Sequence, residues 1–361
     1  GGNRIEEISE NGAVRPVISI NGNNIWKSGD GSAEHPYEIE DFTSLKDKIL
    51  SDNPTIKTRT DFSTPLTETN INTLYKAQED NTDVYYFAGE VENNWVKFAG
   101  FYWRIIRTNS DGSVRLLYVG TSADTKKAYI GQTNYNNSDN DSILVGYKYG
   151  TSGSLENNRT NENSSLIKTY IDNWYKDNLT DYTKYLSTTA VYCNDRTVTK
   201  DTYTISSGSF YYDAYYRLET TFTPTYTCSN SYDAFSFTNV YAKLDYPVGL
   251  ITADELAYLG ITAKSSGTVD SPYTWVNKNS NGDNAADIWW WTMTPNEYNE
   301  YYKQPTMRVA YRGGKIGGSS VTNTELGAVR PVISIKENTV YKSGDGSASD
   351  PYTIKETTSG C

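Results

Sequence analysis

Gly327-Ala-Val-Arg-Pro-Val-Ile-Ser-Ile335 stands near the end of the chain, and the same nine letters stand near its start as Gly12-Ala-Val-Arg-Pro-Val-Ile-Ser-Ile20. The agreement runs on through Lys27-Ser-Gly-Asp-Gly-Ser-Ala33 and Pro36-Tyr37, which return as Lys342–Ala348 and Pro351-Tyr352. Lined up at a constant offset of 315, 20 of 28 positions are identical. Glycine pairs, Gly1-Gly2 and Gly317-Gly318, precede both copies at nearly the same distance. A period of this length is a whole domain rather than a solenoid unit. The repeated text is rich in β-branched residues, and its proline, which cannot donate to a ladder, belongs at a strand start or edge. Asn21–Asn24 and Ser28–Gly31 read as turns. Each copy therefore reads as the closing strands of a domain. The chain is expected to hold a main repeat domain at 42–356 and a linker or chain edge at 357–361. Before them, 1–41 would be the closing strands of a preceding repeat or an inter-subunit connector. On that reading the chain is a processed product or a window from something longer. The junction residues are Val14, Arg15, Val17, Ile18 and Ile20 in one copy, and Val329, Arg330, Val332, Ile333 and Ile335 in the other. Each arginine, set among apolar neighbours, is expected to act as a structural anchor that pairs with a carboxylate or covers a sheet edge.

Between the copies, 84–87, 95–98, 101–107 and 114–119 alternate in the manner of strands and are separated by Asn/Asp/Gly turns. They predict an antiparallel meander with one aromatic face. Helices are predicted from Phe42 to Leu50, from a Ser164/Ser165 cap through Ile167, Tyr170, Ile171 and Trp174, and briefly over 182–186. A further helix opens on the capping box Thr252-Ala-Asp-Glu255. Val248–Ile251 reads as a buried strand, and 288–293 and 307–311 as strands flanking a loop that contains Pro295. The stretches 121–163 and 200–245 read as long, irregular, polar loops. The fold class is α+β, predominantly antiparallel β with a few short helices and long loops.

Net charge is −11, with no basic block, which makes nucleic acid and anionic lipid poor partners. No apolar run approaches the roughly 20 residues that span a bilayer. Thirty-two tyrosines stand against two methionines and one histidine, a balance suited to half-buried sheet faces and adhesive surfaces outside the cell. Cys193 and Cys228 are the disulfide candidates, two buried thiols being the alternative; Cys361 reads as a chain edge, a free thiol or an intermolecular link. A lone His35, replaced by Asp350 in the second copy, leaves a nucleophile–base triad little to work with. Asp139-Asn-Asp141 and Asn281-Gly-Asp-Asn284 are oxygen-rich but lack EF-hand spacing. Trp289-Trp290-Trp291 reads as core before sugar platform, since alternate residues of a strand face opposite ways. No catalytic, cofactor-binding or metal residue is assigned.

Several further stretches carry a resemblance: Leu74–Asp80, Asn94–Arg107, Asp172–Lys176, Cys193–Arg196, Tyr246–Glu255, Trp291–Pro295 and the closing Val329–Ile335 with its Gly-Asp-Gly turn. Together they resemble a family of often tandemly repeated domains in cell-surface and secreted proteins of Firmicutes, one with no established activity. The ending also looks, more loosely, like C-type-lectin-like domains and the formylglycine-generating enzymes. The two internal cysteines do not sit where those enzymes keep their redox pair. The resemblance implies a bacterial, extracellular location and a repeated architecture. With the domain-length repeat, the acidic polar composition and the lack of a nucleophile–base constellation, the expectation is a non-enzymatic structural protein that partners copies of itself in a head-to-tail fibre or stalk. The competing expectation is an adhesin module that binds carbohydrate or a host surface protein.

Overall fold

The structure is a computed structural model, and it describes residues 15–19, 24–198, 208–263, 274–299 and 301–356. The chain divides into two compact units, Gly1–Thr43 and Ser44–Cys361.

The larger unit is built on two sheets. In the first the order is Val332–Ile335, Val114–Gly120, Phe101–Thr108, Thr82–Tyr86, Thr73–Glu79 and Thr55–Thr58, with Trp95–Phe98 also paired to Phe101–Thr108. All of these pairs are antiparallel except the outermost, Thr55–Thr58 with Thr73–Glu79. In the second the order is Lys315–Ser320, Gln304–Tyr311, Trp290–Asn299, Gly327–Val329 and Gly131–Thr133, with Phe210–Tyr211 added to Trp290–Asn299. Short helices and long irregular segments cover these sheets, so the class is α+β and mostly sheet.

Val114–Gly120 is buried along its whole length, as expected of a near-continuous apolar run covered on both faces. Phe101–Thr108 is half-buried at Phe101 and Tyr102 and buried from Trp103 onward. Its register slips between Tyr102 and Trp103 and again between Ile105 and Arg107, which breaks strict alternation. On one side Trp103, Tyr118 and the helical Trp174 meet edge to face, with Trp103–Tyr118 and Tyr118–Trp174 centroids 5.4 and 5.3 Å apart.

Three helices have side-chain caps at or within a few residues of the predicted starts. Ser44 caps Leu45–Asp52, Ser165 caps Leu166–Asn178, and Thr252 with Glu255 forms the capping box of Ala253–Tyr258. Two expectations are corrected. Val248–Ile251 is buried but is not a strand; only Gly249 pairs, with Val332. Pro295 lies inside the Trp290–Asn299 strand rather than in a loop. The register breaks on both sides of it, so its missing N–H interrupts no regular ladder. Trp289, Trp290 and Trp291 are all core residues, with Trp291 Nε1 donating to the Thr133 carbonyl at 2.8 Å.

In the smaller unit Asn24–Ser28 pairs antiparallel with Glu38–Asp41. Arg15–Ser19 are exposed and belong to no strand. No helix of the described residues is long and apolar enough to cross a membrane.

Candidate functional site: the closing segment and its two copies

The two copies fold alike in the Gly-Asp-Gly turn. In the first, Asp30 N and Gly31 N donate to the His35 carbonyl at 2.9 and 3.0 Å; in the second, Asp345 N and Gly346 N donate to the Asp350 carbonyl at 2.9 and 3.1 Å. Asp30 and Asp345 each accept from the serine N–H two residues on, at 2.9 and 2.8 Å. Since the backbone of residue 35 or 350 closes the turn, histidine and aspartate serve equally there. Gly29 and Gly344 have φ of +95° and +102°, and a Cβ would lie 2.0 Å from the Pro36 oxygen or 2.1 Å from that of Pro351. Glycine is therefore required by both sterics and backbone conformation.

What differs is whether the copy is seated. Gly327–Val329 runs parallel to Trp290–Asn299 at Ala328 and Trp290, and antiparallel to Gly131–Thr133. Pro331 then carries the chain over to the other sheet, where Val332–Ile335 pairs with Val114–Leu117. The proline thus sits at a change of sheet, where a missing N–H costs no ladder bond. Val329, Arg330, Val332, Ile333 and Ile335 are all buried. The hairpin that follows docks through its backbone: Trp95 N donates to Gly346 O at 2.8 Å and Tyr352 N to Trp95 O at 3.0 Å. The Tyr352 hydroxyl donates to Asp52 at 2.8 Å.

Arg330 is the anchor the sequence suggests, but its partners are not carboxylates. Its guanidinium donates to the Tyr118 carbonyl at 3.1 and 3.3 Å and to the Val276 carbonyl at 3.0 Å, and stacks 4.8 Å from the centre of the Trp290 ring. Burial pushes its pKa down to about 9, still above neutrality, so the site holds a cation by carbonyl dipoles and an aromatic face.

In the first copy Val17 is 93% and Ile18 83% exposed, and Arg15 is exposed as well. Tyr37 is 66% exposed where its counterpart Tyr352 is 0%. Val14 and Ile20 lie outside the described residues, as does all of 357–361, Cys361 included.

Cys193 and Cys228 form a disulfide with Cα atoms 5.7 Å apart. It borders a charged cluster that sequence reading misses altogether. Glu255 accepts from Arg107 Nε at 3.0 Å, from Arg115 Nη1 at 2.6 Å and from the Thr252 N–H at 2.9 Å. Arg107 also holds both oxygens of Glu79, at 2.8 and 3.0 Å. Arg217 grips Asp254 through two nitrogens, at 3.0 and 3.1 Å, and reaches Asp195 at 2.9 Å. Burial alone would raise the Glu255 and Glu79 carboxyls; the facing guanidinium groups, Arg115 and Arg107 for Glu255 and chiefly Arg107 for Glu79, outweigh it and hold both below the ordinary carboxylate range. The cluster borders a space of about 20 Å³, room for roughly one water. Both oxygens of Glu255 and of Glu79 are already engaged, so the arrangement acts as a strut between sheet and helix, not as an acid–base pair. The signal available in sequence was only two arginines on neighbouring strands and a capping-box glutamate. Among the described residues, no group of three or more His, Cys, Asp and Glu side chains is placed to hold a metal ion.

Replacing both Cys193 and Cys228 by serine is expected to cost about 4 kcal/mol, given the 35-residue separation. Denaturant titration with and without reductant measures it, and the double variant should show no reductant dependence.

Compared with protein-family models, with curated proteins and with solved structures, the chain matches none.

Proposed function

We propose that this chain is a non-enzymatic structural protein of the bacterial cell surface, one repeat of a fibre, filament or adhesin stalk. Units join head to tail through the closing segment. One observation carries the reading: the same text is buried between two sheets in one place and held out, apolar side chains exposed, in another. A segment such as Arg15–Ser19, with Val17 and Ile18 in solvent, is unfavourable by itself and makes sense as the end of a unit that lies before it. The disulfide, compatible with an oxidising exterior, and the acidic, tyrosine-rich composition support the same location.

Two mechanical forms of the joint are distinct. In the tandem form the repeats are covalently continuous, and 1–41 belongs to the preceding repeat. In the exchange form, separate subunits polymerise as the free copy inserts into a neighbour by β-augmentation. The seated second copy already fills its own slot, which favours the tandem form. Mass spectrometry of the native polymer after denaturation and reduction separates them. Tandem repeats give a polypeptide well above the 40.5 kDa of this chain; a mass near that value overturns the tandem form.

A second reading, a glycan- or host-protein-binding adhesin module on a lectin-like scaffold, is favoured by paired exposed tyrosines. Tyr232 and Tyr241 lie 4.9 Å apart, as do Tyr301 and Tyr302. A glycan array that stays blank with and without calcium counts against glycan binding.

A further inference from the structure

Lys168 lies in the first turn of the Leu166–Asn178 helix with its side chain fully buried. Its ammonium touches two carboxylates: Asp172, one turn further along the same helix, and Asp245, in the irregular segment packed against it. The neighbourhood is aromatic. Tyr175 and Tyr246 stack with ring centres 4.9 Å apart, and Tyr147 is completely buried. A second amine, Lys148, also faces this cluster and donates to the Lys243 carbonyl at 3.3 Å. The two carboxylates are not equivalent: the Asp172 side chain is 17% exposed and that of Asp245 63%.

A fully buried ammonium is expensive as an ion, and its condensation to an amide with a carboxylate it touches removes both charges at once. We propose that Lys168 and Asp245 are joined by an intramolecular isopeptide bond, formed with Asp172 as proton carrier. Lys168 gives a proton to Asp172 and attacks Cγ of Asp245 through its neutral Nζ. An N–C bond forms, and one C–O bond of Asp245 breaks. The departing oxygen leaves as water with two of the three ammonium hydrogens, one of them returned by Asp172; the third stays on the amide. No oxidant or reductant is needed. Asp245 is the electrophile because its carboxyl reaches solvent, where the water can leave. Asp172 is the carrier because it is enclosed beside the amine, and burial holds its carboxyl above the ordinary range. The product would pin the irregular segment near residue 245 to the helix, while the Cys193–Cys228 disulfide ties that region further upstream.

The experiment is intact-mass and fragment spectrometry of the whole folded chain after disulfide reduction. The expected mass is about 18 Da below that of the sequence, the loss of one water, with fragments placing it on peptides joined at residues 168 and 245. Lys168→Arg and Asp245→Ala should both return to full sequence mass. Asp172→Ala should form the bond about a hundredfold more slowly after refolding. A wild-type chain that keeps its full mass after a week folded at neutral pH overturns the proposal. So does a loss that persists in Lys168→Arg, or one mapped to Asp172.

Discussion

Ile333→Asp is expected to unfold the larger unit, while Ile18→Asp leaves its stability unchanged. The two residues occupy the same place in identical text. Ile333 is completely buried, in the strand that pairs with Val114–Leu117. A carboxylate there has no cation built to receive it, and the lost apolar contact adds to the cost, about 4 kcal/mol or more. A domain with ordinary reserves does not survive a penalty of that size. Ile18 is 83% exposed, so its replacement should fall within about 0.5 kcal/mol of zero. Denaturant titration of both variants with a tryptophan fluorescence readout makes the comparison. Equal effects at the two positions would show that the copies are not seated differently.

Glu255→Ala should be the most damaging change among the charged residues. It strips Arg115 of its carboxylate and Arg107 of one of two, and leaves the Thr252 N–H without its capping-box partner. Breaking a buried pair by removing one member costs about 3–5 kcal/mol, because the other charge stays buried. The pH dependence follows in sign. Glu79 and Glu255 have folded values held below the ordinary 4.5. Their contribution is therefore complete above about pH 4.5 and is lost as pH falls through the folded values. Glu255→Ala should flatten the acid limb of stability against pH, with little change in its shape above pH 5. An unaltered acid limb would mean that other carboxylates govern acid unfolding.

How much of this was legible depended on whether local chemistry alone fixed the outcome. The Ser165 and Thr252 caps and the Gly-Asp-Gly turns were readable because their hydrogen bonds are made within a few residues, and the Trp95–Gly120 meander because its strands follow one another across short turns. The closing segment was readable because it occurs twice. Val248–Ile251 was misread as a strand because short apolar runs are ambiguous between strand and buried coil. Pro295 was misplaced because a register break, invisible in sequence, makes room for it. The Glu79–Arg107–Glu255–Arg115 cluster was invisible for a different reason. Its bonded partners stand up to 148 residues apart, and each alone looks like a surface charge. Arg330 was identified as an anchor, but its carbonyl and indole partners come from three separate elements, and no local pattern names them.

On this account the text of residues 12–39 is that of a competent closing segment. The most direct measurement is on a chimera in which 327–354 carry the text of 12–39, changing only the positions at which the copies differ. The chimera should fold cooperatively, with an unfolding free energy within about 1 kcal/mol of the wild type. It should also keep the near-ultraviolet signal of the buried Trp290 and Trp291. A chimera that is unfolded, or that loses that aromatic signal, would contradict the claim and leave the first copy as a segment with some other partner.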